Sequence, residues 1–346
     1  MEQRVTKLWY QDTAGPALLL QPLAWLYGSV VRLRRKAYEK GWLNTLGAAR
    51  PVIIVGNLTV GGTGKTPLVI WLVRRLSELG LRVGIVSRGY GARAGEAPRL
   101  VTEQSNWREV GDEPLLLHLV TGCVTAVGQD RVAAARLLVN HGVDVIVADD
   151  GLQHLRLARS CEIVVIDGAR GFGNCRLLPA GPLREPASRV ADVDLVVING
   201  LPEHSSLRRV GVAVEARAML MTLMPGEAAR LDGGESPRPL DEFRGRPVHA
   251  VAGIGNPERF FRDLTIRGLQ VIEHPFPDHH PFAARDLAFG DELPVLMTQK
   301  DAVKCLSFAD SRMWSVPAAA TFSEIQARDL LARVLQKINF QPHDGG

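Results

Sequence analysis

Residues 52–66, which read VIIVGNLTVGGTGKT, decide the fold of this chain. The first positions form an apolar run typical of a buried strand, and apolar side chains from Leu68 to Leu79 recur at helical spacing. A glycine-rich loop between a buried strand and a helix is typical of sites that bind the phosphates of a nucleoside triphosphate, because backbone amides there can turn toward phosphate oxygens. The stretch therefore predicts the core of a P-loop enzyme.

The loop itself runs from Thr59 to Thr66 and is predicted to bind ATP. The predicted nucleotide-binding residues are Thr59, Val60, Gly61, Gly62, Thr63, Gly64, Lys65 and Thr66. The ammonium of Lys65 would reach the β- and γ-phosphates, which makes this residue a catalytic candidate, and the Thr66 hydroxyl would bind Mg²⁺. The usual motif begins with glycine, whereas this chain has Thr59.

An α/β pattern continues on both sides of the loop. Strand-like runs lie at 52–55, 83–87, 124–127, 143–148, 163–166 and 195–198, with helical patterns at 68–79, 115–120 and 131–141. Most of these runs are continuously apolar, as expected for parallel strands that are covered by helices on both faces. We therefore predict an α/β fold with a P-loop NTPase-type parallel sheet core at residues 51–205.

A second group of strand-like runs begins near Arg246. The runs are at 248–252, 271–273 and 295–297, and a helical pattern at 324–336 follows them. Residues 201–246 are mixed in character and are marked as a connection by glycines and prolines. We predict that residues 206–346 comprise this connecting segment and a second, smaller α/β domain with a C-terminal helix.

The first 50 residues differ from the rest. Residues 14–31 carry no charge, and basic residues follow at Arg32, Arg34, Arg35 and Lys36. Apolar side chains recur at helical spacing at Leu19, Leu23, Leu26, Val30 and Leu33. The run is short for a membrane span, so a spanning helix and an interfacial helix are both open. We predict an N-terminal membrane-associated helix within residues 1–50, with its basic cluster on the cytoplasmic side. The alternative is a helix buried in the main domain.

The composition excludes several classes of protein. Apolar residues make up 46% and charged residues 23% of the chain, as in ordinary globular proteins. The net charge of +4 is concentrated in residues 1–50, which hold eight basic and three acidic residues, so no nucleic-acid partner is expected. The four cysteines form no CxxC pair, which predicts a reducing cytoplasm instead of a disulfide framework or zinc site. No protein partner can be inferred from these numbers.

Three polar motifs lie beside the predicted elements. Asp149 and Asp150 follow a strand-like run, at the position where a P-loop enzyme holds Mg²⁺ or the water bound to it. Residues 111–114, Gly-Asp-Glu-Pro, precede a helix and by themselves favour a helix cap. Residues 278–280, Asp-His-His, favour a polar loop, because adjacent histidines rarely bind a metal without further spaced ligands.

Seven motifs together resemble one family, the tetraacyldisaccharide 4′-kinases of lipid A biosynthesis. The motifs are TVGGTGKTP (59–67), SRGYG (87–91), GDEP (111–114), ADDGLQH (148–154), LLPAGPLREP (177–186), FPDHHPF (276–282) and TQKDAVK (298–304). The resemblance spans about Trp9 to Lys304. It implies Mg²⁺-assisted transfer of the ATP γ-phosphate to the 4′-hydroxyl of a tetraacyldisaccharide 1-phosphate, which gives lipid IVA. It also implies a lipid substrate and a membrane surface as partners, at the cytoplasmic face of the bacterial inner membrane.

The same resemblance implies two domains with the active site between them. Asp112 would work with His279 to activate the sugar hydroxyl, with His280 as the alternative histidine. The metal would be bound by Thr66, Asp149 and Asp150. The implied substrate-binding residues are Arg88, Tyr90, Glu113, Arg131, Gln153, His154 and Arg184.

Two other functions compete with a lipid kinase. A P-loop ATPase switch protein often carries lysine just before the GGxGKT segment, but this chain has Val60 there. A soluble small-molecule kinase would need the N-terminal segment to be a core helix. A role in binding alone is disfavoured, because Lys65, Thr66 and Asp149 form a complete nucleotide and Mg²⁺ set.

Overall fold

A computed structural model describes residues 9–10, 16–89, 97–209 and 218–341. The strands in these ranges are β1 (Val52–Gly56), β2 (Val83–Ser87), β3 (Arg99–Val101), β4 (Val124–Val127), β5 (Val145–Asp149), β6 (Cys161–Asp167), β7 (Leu195–Asn199), β8 (Ala218–Pro225), β9 (Ala229–Arg230), β10 (Pro247–Ala252), β11 (Gln270–Pro275), β12 (Val295–Thr298), β13 (Met313–Val316) and β14 (Ala318–Thr321). The α-helices are α1 (Gln21–Glu39), α2 (Lys65–Glu78), α3 (Trp107–Val110), α4 (Asp112–Thr121), α5 (Arg131–Asn140), α6 (Ser205–Arg209), α7 (Pro257–Ile266), α8 (Gln299–Cys305) and α9 (Glu324–Lys337).

The larger sheet has the strand order β14-β8-β7-β6-β1-β5-β2-β4-β3 among the described residues. The strands from β8 to β4 run parallel, and β14 and β3 are antiparallel edges. Successive side chains of β1 enter opposite cores: Val52 and Ile54 pack with α5, and Ile53 and Val55 pack with α2. Burial on both faces explains the continuous apolar runs and confirms the predicted parallel core.

The smaller sheet has the order β11-β10-β12-β13-β9, and its central strands are parallel. Its two faces carry separate apolar cores. Phe261 and Leu264 of α7 lie in one of them, and Phe282 and Cys305 lie in the other. This sheet confirms the predicted second α/β unit.

The domain boundaries differ from those predicted. The segment expected as a connection contains β8, which pairs with β7 of the larger sheet. Near the C-terminus, β14 pairs with β8, and Leu330 and Val334 of α9 are buried in the core beside α2. Residues 318–338 therefore belong to the domain of the larger sheet, as its edge strand β14 and the covering helix α9. The smaller sheet is inserted between β8 and β14. The helical pattern at 324–336 was correct, but its periodicity did not reveal which sheet it covers.

The N-terminal helix α1 lies on the surface of the larger domain. Its buried residues are Ala24 and Gly28, and a Cβ on Gly28 would come within 2.5 Å of the Leu177 side chain. The opposite side is exposed at Leu23, Leu26, Val30 and Leu33, and Leu19, in the 3-10 turn just before α1, is 83% exposed. The predicted helical spacing is therefore present, and it faces outward. No helix among the described residues combines the length and apolar character needed to cross a membrane.

Candidate active site

The glycine-rich loop joins β1 to α2, as predicted. Two of its carbonyl groups accept hydrogen bonds from asparagine side chains at the ends of β1 and β7. Asn199 Nδ2 donates to the Thr63 carbonyl at 3.1 Å, and Asn57 Nδ2 donates to the Gly61 carbonyl at 3.2 Å. Gly64 has φ 95°, and a Cβ there would lie 2.6 Å from Asn199 Nδ2, so only glycine fits. Free carbonyl oxygens would repel a phosphate, and these hydrogen bonds hold two of them. The arrangement suits a loop whose backbone amides bind an anion.

Lys65 begins α2 and lies beside the carboxylate of Asp150. Its Nζ is 3.7 Å from Oδ1 of Asp150, and Nη1 of Arg184 donates to both oxygens of the same carboxylate at 3.0 and 2.9 Å. Burial alone would raise the pKa of Asp150, but the charges of Lys65 and Arg184 lower it to about 2. Asp150 is therefore an ionised group that is already engaged by two cations.

Asp149, the last residue of β5, has a different environment. It is 1% exposed, and neither carboxylate oxygen has a hydrogen-bond partner among the described residues. Burial, together with the charge of Glu113, raises its pKa to about 7. Buried Arg131 donates from Nη1 to the Val86 carbonyl at 3.0 Å, while its Nε and Nη2 have no partner within the same described ranges. Buried polar atoms without partners are rare in native proteins, so this cluster fits a charged ligand and a cation.

Asp112 and His279 come from different domains and form a pair. His279 Nδ1 lies 2.9 Å from Asp112 Oδ2, across 167 positions of sequence. Asp112 is the first residue of α4, after the N-cap Gly111, so the cap suggested by the local sequence is not its position. Burial would raise the pKa of Asp112, but the hydrogen bond with His279 and the charges of Lys300 and Lys304 lower it below its ordinary value. The pair therefore presents an ionised carboxylate.

His280, the alternative histidine, faces away from this pair. Its Nε2 lies 3.1 Å from Oδ2 of Asp286, and its ring packs against Phe276 and Phe282 at centroid distances of 4.7 Å. It therefore belongs to the packing of the second domain, and His279 is the histidine that meets Asp112.

The two domains also meet at the phosphate loop. Arg170 Nη2 donates to the Gly255 carbonyl at 2.9 Å, and a Cβ on Gly255 would be 3.0 Å from the Gly62 nitrogen. Two residues before Gly255, the Gly253 carbonyl accepts from the His279 backbone amide at 3.2 Å. The segment that supports His279 thus lies directly against the predicted nucleotide-binding loop.

The remaining predicted residues surround the same region. Gln153 Nε2 donates to Glu185 Oε1 at 2.7 Å and to the Asn57 carbonyl at 3.3 Å, which ties it to the start of the loop. His154 is partly buried; burial and the charges of Arg131 and Arg88 lower its pKa to about 4, so it is neutral at pH 7. Arg88 is exposed at the end of β2. Tyr90 lies outside the described residues.

Two lysines of α8 were not predicted as site residues. Lys300 Nζ lies 3.1 Å from Glu113 Oε1. Lys304 is fully buried, with Nζ 2.7 Å from Asp301 Oδ1 and 3.9 Å from Asp112 Oδ2. Their four-residue spacing within TQKDAVK puts both on one helix face, which was a signal of shared contacts. The sequence did not show what that face meets.

Comparisons with known proteins match this chain to one family. A family model described as tetraacyldisaccharide-1-P 4′-kinase matches residues 16–338. A tetraacyldisaccharide 4′-kinase of Alkalilimnicola ehrlichii is 54% identical over 306 residues, covering 87% of this chain and 87% of that protein. Another from Nitrosococcus oceani is 48% identical over 314 residues, covering 90% and 89%.

A solved structure is similar over both sheets. A crystal structure of "apo" form LpxK from Aquifex aeolicus in complex with ATP has a TM-score of 0.76 and 28% identity to this chain. The match covers 93% of this chain and 99% of that one. The inserted smaller sheet is therefore included in the likeness.

Proposed function

The chain belongs to the tetraacyldisaccharide-1-P 4′-kinase family, and we propose that it transfers the γ-phosphoryl group of ATP to the 4′-hydroxyl of a tetraacyldisaccharide 1-phosphate. The product is lipid IVA, in lipid A biosynthesis. The observation that carries the proposal is the Asp112–His279 pair, formed between two domains next to a phosphate loop. A switch ATPase that only hydrolyses ATP has no need of an acid–base pair supplied by a second domain.

The protein groups divide the work of phosphoryl transfer. The loop amides and Lys65 hold the ATP phosphates, and the positive charge of Lys65 stabilises the transferring group. As the sugar oxygen bonds to the γ-phosphorus, the bond to the β-phosphate oxygen breaks, and the hydroxyl proton passes to the Asp112 carboxylate. His279 holds that carboxylate in place through the 2.9 Å contact. Arg88, Tyr90, Arg131, Gln153, His154 and Arg184 are proposed to contact the phosphates or sugars of the two substrates.

Mg²⁺ fits the acidic residues that are present. We propose that Asp149, with its two partnerless oxygens among the described residues, and Thr66 hold it. Asp150 is already paired with Arg184 and lies near Lys65, so we propose that it lies next to the metal and holds these two cations in place. Bound Mg²⁺ would neutralise charge on the β- and γ-phosphate oxygens.

Asp149→Asn is expected to lower Mg²⁺-dependent turnover by ~10²-fold or more, since a carboxylate facing the metal is lost. The folded protein should not be weakened. The pKa of Asp149 in the folded state is raised to about 7. The stability of the wild type should therefore fall as the pH rises from the ordinary pKa of an aspartate to 7, because the buried carboxyl resists ionisation. Asparagine removes this loss. Kinase rates at varied Mg²⁺ and melting temperatures at pH 5 and 8 test both points. Asp144→Asn is the control for turnover, because Asp144 immediately precedes the first residue of β5, at the opposite end of the strand from Asp149. Wild-type rates in Asp149→Asn at limiting Mg²⁺ would contradict the metal role.

We propose that α1 binds the membrane surface that contains the lipid substrate. One side of α1 packs on the larger domain through Ala24 and Gly28. This leaves a leucine stripe free to enter the boundary between headgroups and acyl chains, and it consists of Leu19, Leu23, Leu26, Val30 and Leu33. Arg32 and Arg34 flank Leu33, the last residue of the stripe, and suit anionic headgroups. Because ATP and reduced cysteines belong to the cytoplasm, the cytoplasmic face of the inner membrane is the proposed location.

Replacing Leu19, Leu26 and Leu33 together with glutamine is expected to weaken binding to anionic vesicles by at least ~10-fold. Burying one leucine fully is worth ~1.5–3 kcal/mol, and ~1.4 kcal/mol is a tenfold change. Vesicle sedimentation at high salt measures the apolar share. Exchanging Ile266 and Ile325, which are 75% and 81% exposed elsewhere, for glutamine is the matched control. Equal loss in both variants would remove the proposed role of the stripe.

The reaction itself is tested with γ-labelled ATP and tetraacyldisaccharide 1-phosphate in mixed micelles. A bis-phosphorylated lipid that carries the label at the 4′ position is the expected product. Release of labelled phosphate to water alone, with no labelled lipid, would favour the ATPase alternative.

A further inference from the structure

Lys300 lies at the centre of the contact between the two domains. Its ammonium nitrogen is 3.1 Å from Glu113 Oε1, 3.3 Å from Asp278 Oδ1 and 3.2 Å from His279 Nε2. Glu113 belongs to α4 of the larger domain, whereas the other two belong to the loop of the smaller domain. The lysine therefore touches the imidazole on the side opposite Asp112.

The chemistry of these groups determines which nitrogen of His279 carries the proton. An ammonium group has donors and no acceptor, so Nε2 must be unprotonated to form a hydrogen bond with Lys300. In a neutral imidazole the proton is then on Nδ1, which donates to Asp112 Oδ2 at 2.9 Å. In the opposite tautomer, Nε2–H would point at a second donor and Nδ1 would face a carboxylate with no hydrogen between them.

We propose that Lys300 is a positioning residue for phosphoryl transfer, because its ammonium holds His279 as the Nδ1–H tautomer and so keeps the Asp112 carboxylate hydrogen-bonded and ready to accept the hydroxyl proton. This inference rests on the proposed kinase function. It also explains why the TQKDAVK segment is part of the site although neither of its lysines touches the phosphate loop in the contacts described above.

Charged groups reach this pair from every element that packs against it. They are Asp112 and Glu113 on α4, Lys300 and Lys304 on α8, and Asp278 in the loop of His279 itself. Burial lowers the pKa of His279 and the hydrogen bond with Asp112 raises it; Lys300 opposes the rise, and the net pKa is above its ordinary value. Removing the ammonium therefore favours the imidazolium further, with a proton on Nε2 as well.

The tautomer can be observed without turnover. In protein labelled with ¹⁵N-histidine, long-range ¹H–¹⁵N spectra distinguish protonated from unprotonated ring nitrogens, and His279→Ala assigns the signals among the nine histidines. The wild type is expected to show protonated Nδ1 and unprotonated Nε2 above its titration midpoint. In Lys300→Met the midpoint should rise by about 1 pH unit or more, since a nearby like charge shifts a pKa by roughly 1–3 units. Lys300→Arg should keep the wild-type spectrum.

Activity and a second variant separate this role from a structural one. In Lys300→Met the acid limb of kcat/KM should move to higher pH by the same amount as the midpoint, with little change in KM for ATP. The imidazolium still donates from Nδ1, but its positive charge makes the Asp112 carboxylate a weaker base. Asp278→Asn removes an ion-pair partner of Lys300 but leaves the ammonium at Nε2, so the His279 tautomer should stay unchanged. Its midpoint should fall, opposite to Lys300→Met, because the Asp278 carboxylate 4.0 Å from Nε2 raises the pKa of His279. A structural role alone would lower the melting temperature of Lys300→Met and leave its His279 midpoint in place.

The outcomes are distinguishable. An identical tautomer and midpoint in the wild type and Lys300→Met would overturn the inference, even if the protein phosphorylates the lipid. The predicted spectra in a protein that fails to phosphorylate the lipid would leave the positioning of His279 intact and reject the kinase function instead.

Discussion

Lys65→Ala is expected to lower kcat by ~10²–10³-fold or more, the scale observed when one preorganised group that stabilises developing charge is removed. The Lys65 ammonium is the cation at the first turn of α2, next to the phosphate loop. The fold should survive, because Asp150 keeps its two contacts with Arg184 when the 3.7 Å contact with Lys65 is lost. An ionised carboxylate is therefore not left without a partner.

Steady-state kinetics and thermal unfolding separate lost chemistry from lost structure in this variant. Arg75→Ala is the matched control, because Arg75 lies near the far end of the same helix and pairs at the surface with Glu78. It should change kcat by less than about twofold, because Arg75 lies away from the phosphate loop. The stability should also change little, since an exposed ion pair contributes ~0–1 kcal/mol to the free energy of unfolding. A folded Lys65→Ala protein with near-normal kcat would remove the loop from the reaction.

The second large effect concerns Asp112 and His279 as a unit. Asp112→Ala and His279→Ala are each expected to lower kcat by ~10²–10⁴-fold, the usual scale of general-base assistance, with a much smaller change in KM for ATP. The double variant should be little worse than the poorer single one, because residues that act through one contact are not additive. His280→Ala is the matched control, and it should lose far less activity because its partner is Asp286.

Multiplicative losses in the double variant would contradict the pair. Unfolding measurements are needed beside the kinetics, since removing Asp112 leaves buried Lys304 with Asp301 as its near carboxylate. Stable variants with normal kcat would exclude both residues from the active site.

The parallel core could be predicted from sequence because burial on both faces leaves a local mark, the continuous apolar run. The partner of a strand leaves no such mark. Nothing within Ala318–Thr321 indicates that it returns to Ala218–Pro225 across the whole inserted domain. Neither of these two strands was predicted, and the domain boundary was therefore misplaced although the helix at 324–336 was found.

The same distinction applies to the site. The phosphate loop is a local structure, and its sequence was sufficient to predict its position between β1 and α2. Asp112 and His279 were linked only through the family resemblance, because their local sequences favoured a cap and a polar loop. Lys300 was missed as a site residue because its three contacts are all made by tertiary packing.

The return of the chain to its first sheet determines the order in which folding can be completed. Leu330, Val334 and Ile338 share one apolar cluster with Val69 and Leu72 of α2. The apolar side of the nucleotide-binding helix therefore stays partly uncovered on the ribosome until the inserted domain and the last helix have been synthesised. Contacts between such distant segments form slowly, because loop-closure entropy must be overcome first. We therefore expect firm nucleotide binding only after α9 has packed on α2, and not in the nascent N-terminal part alone.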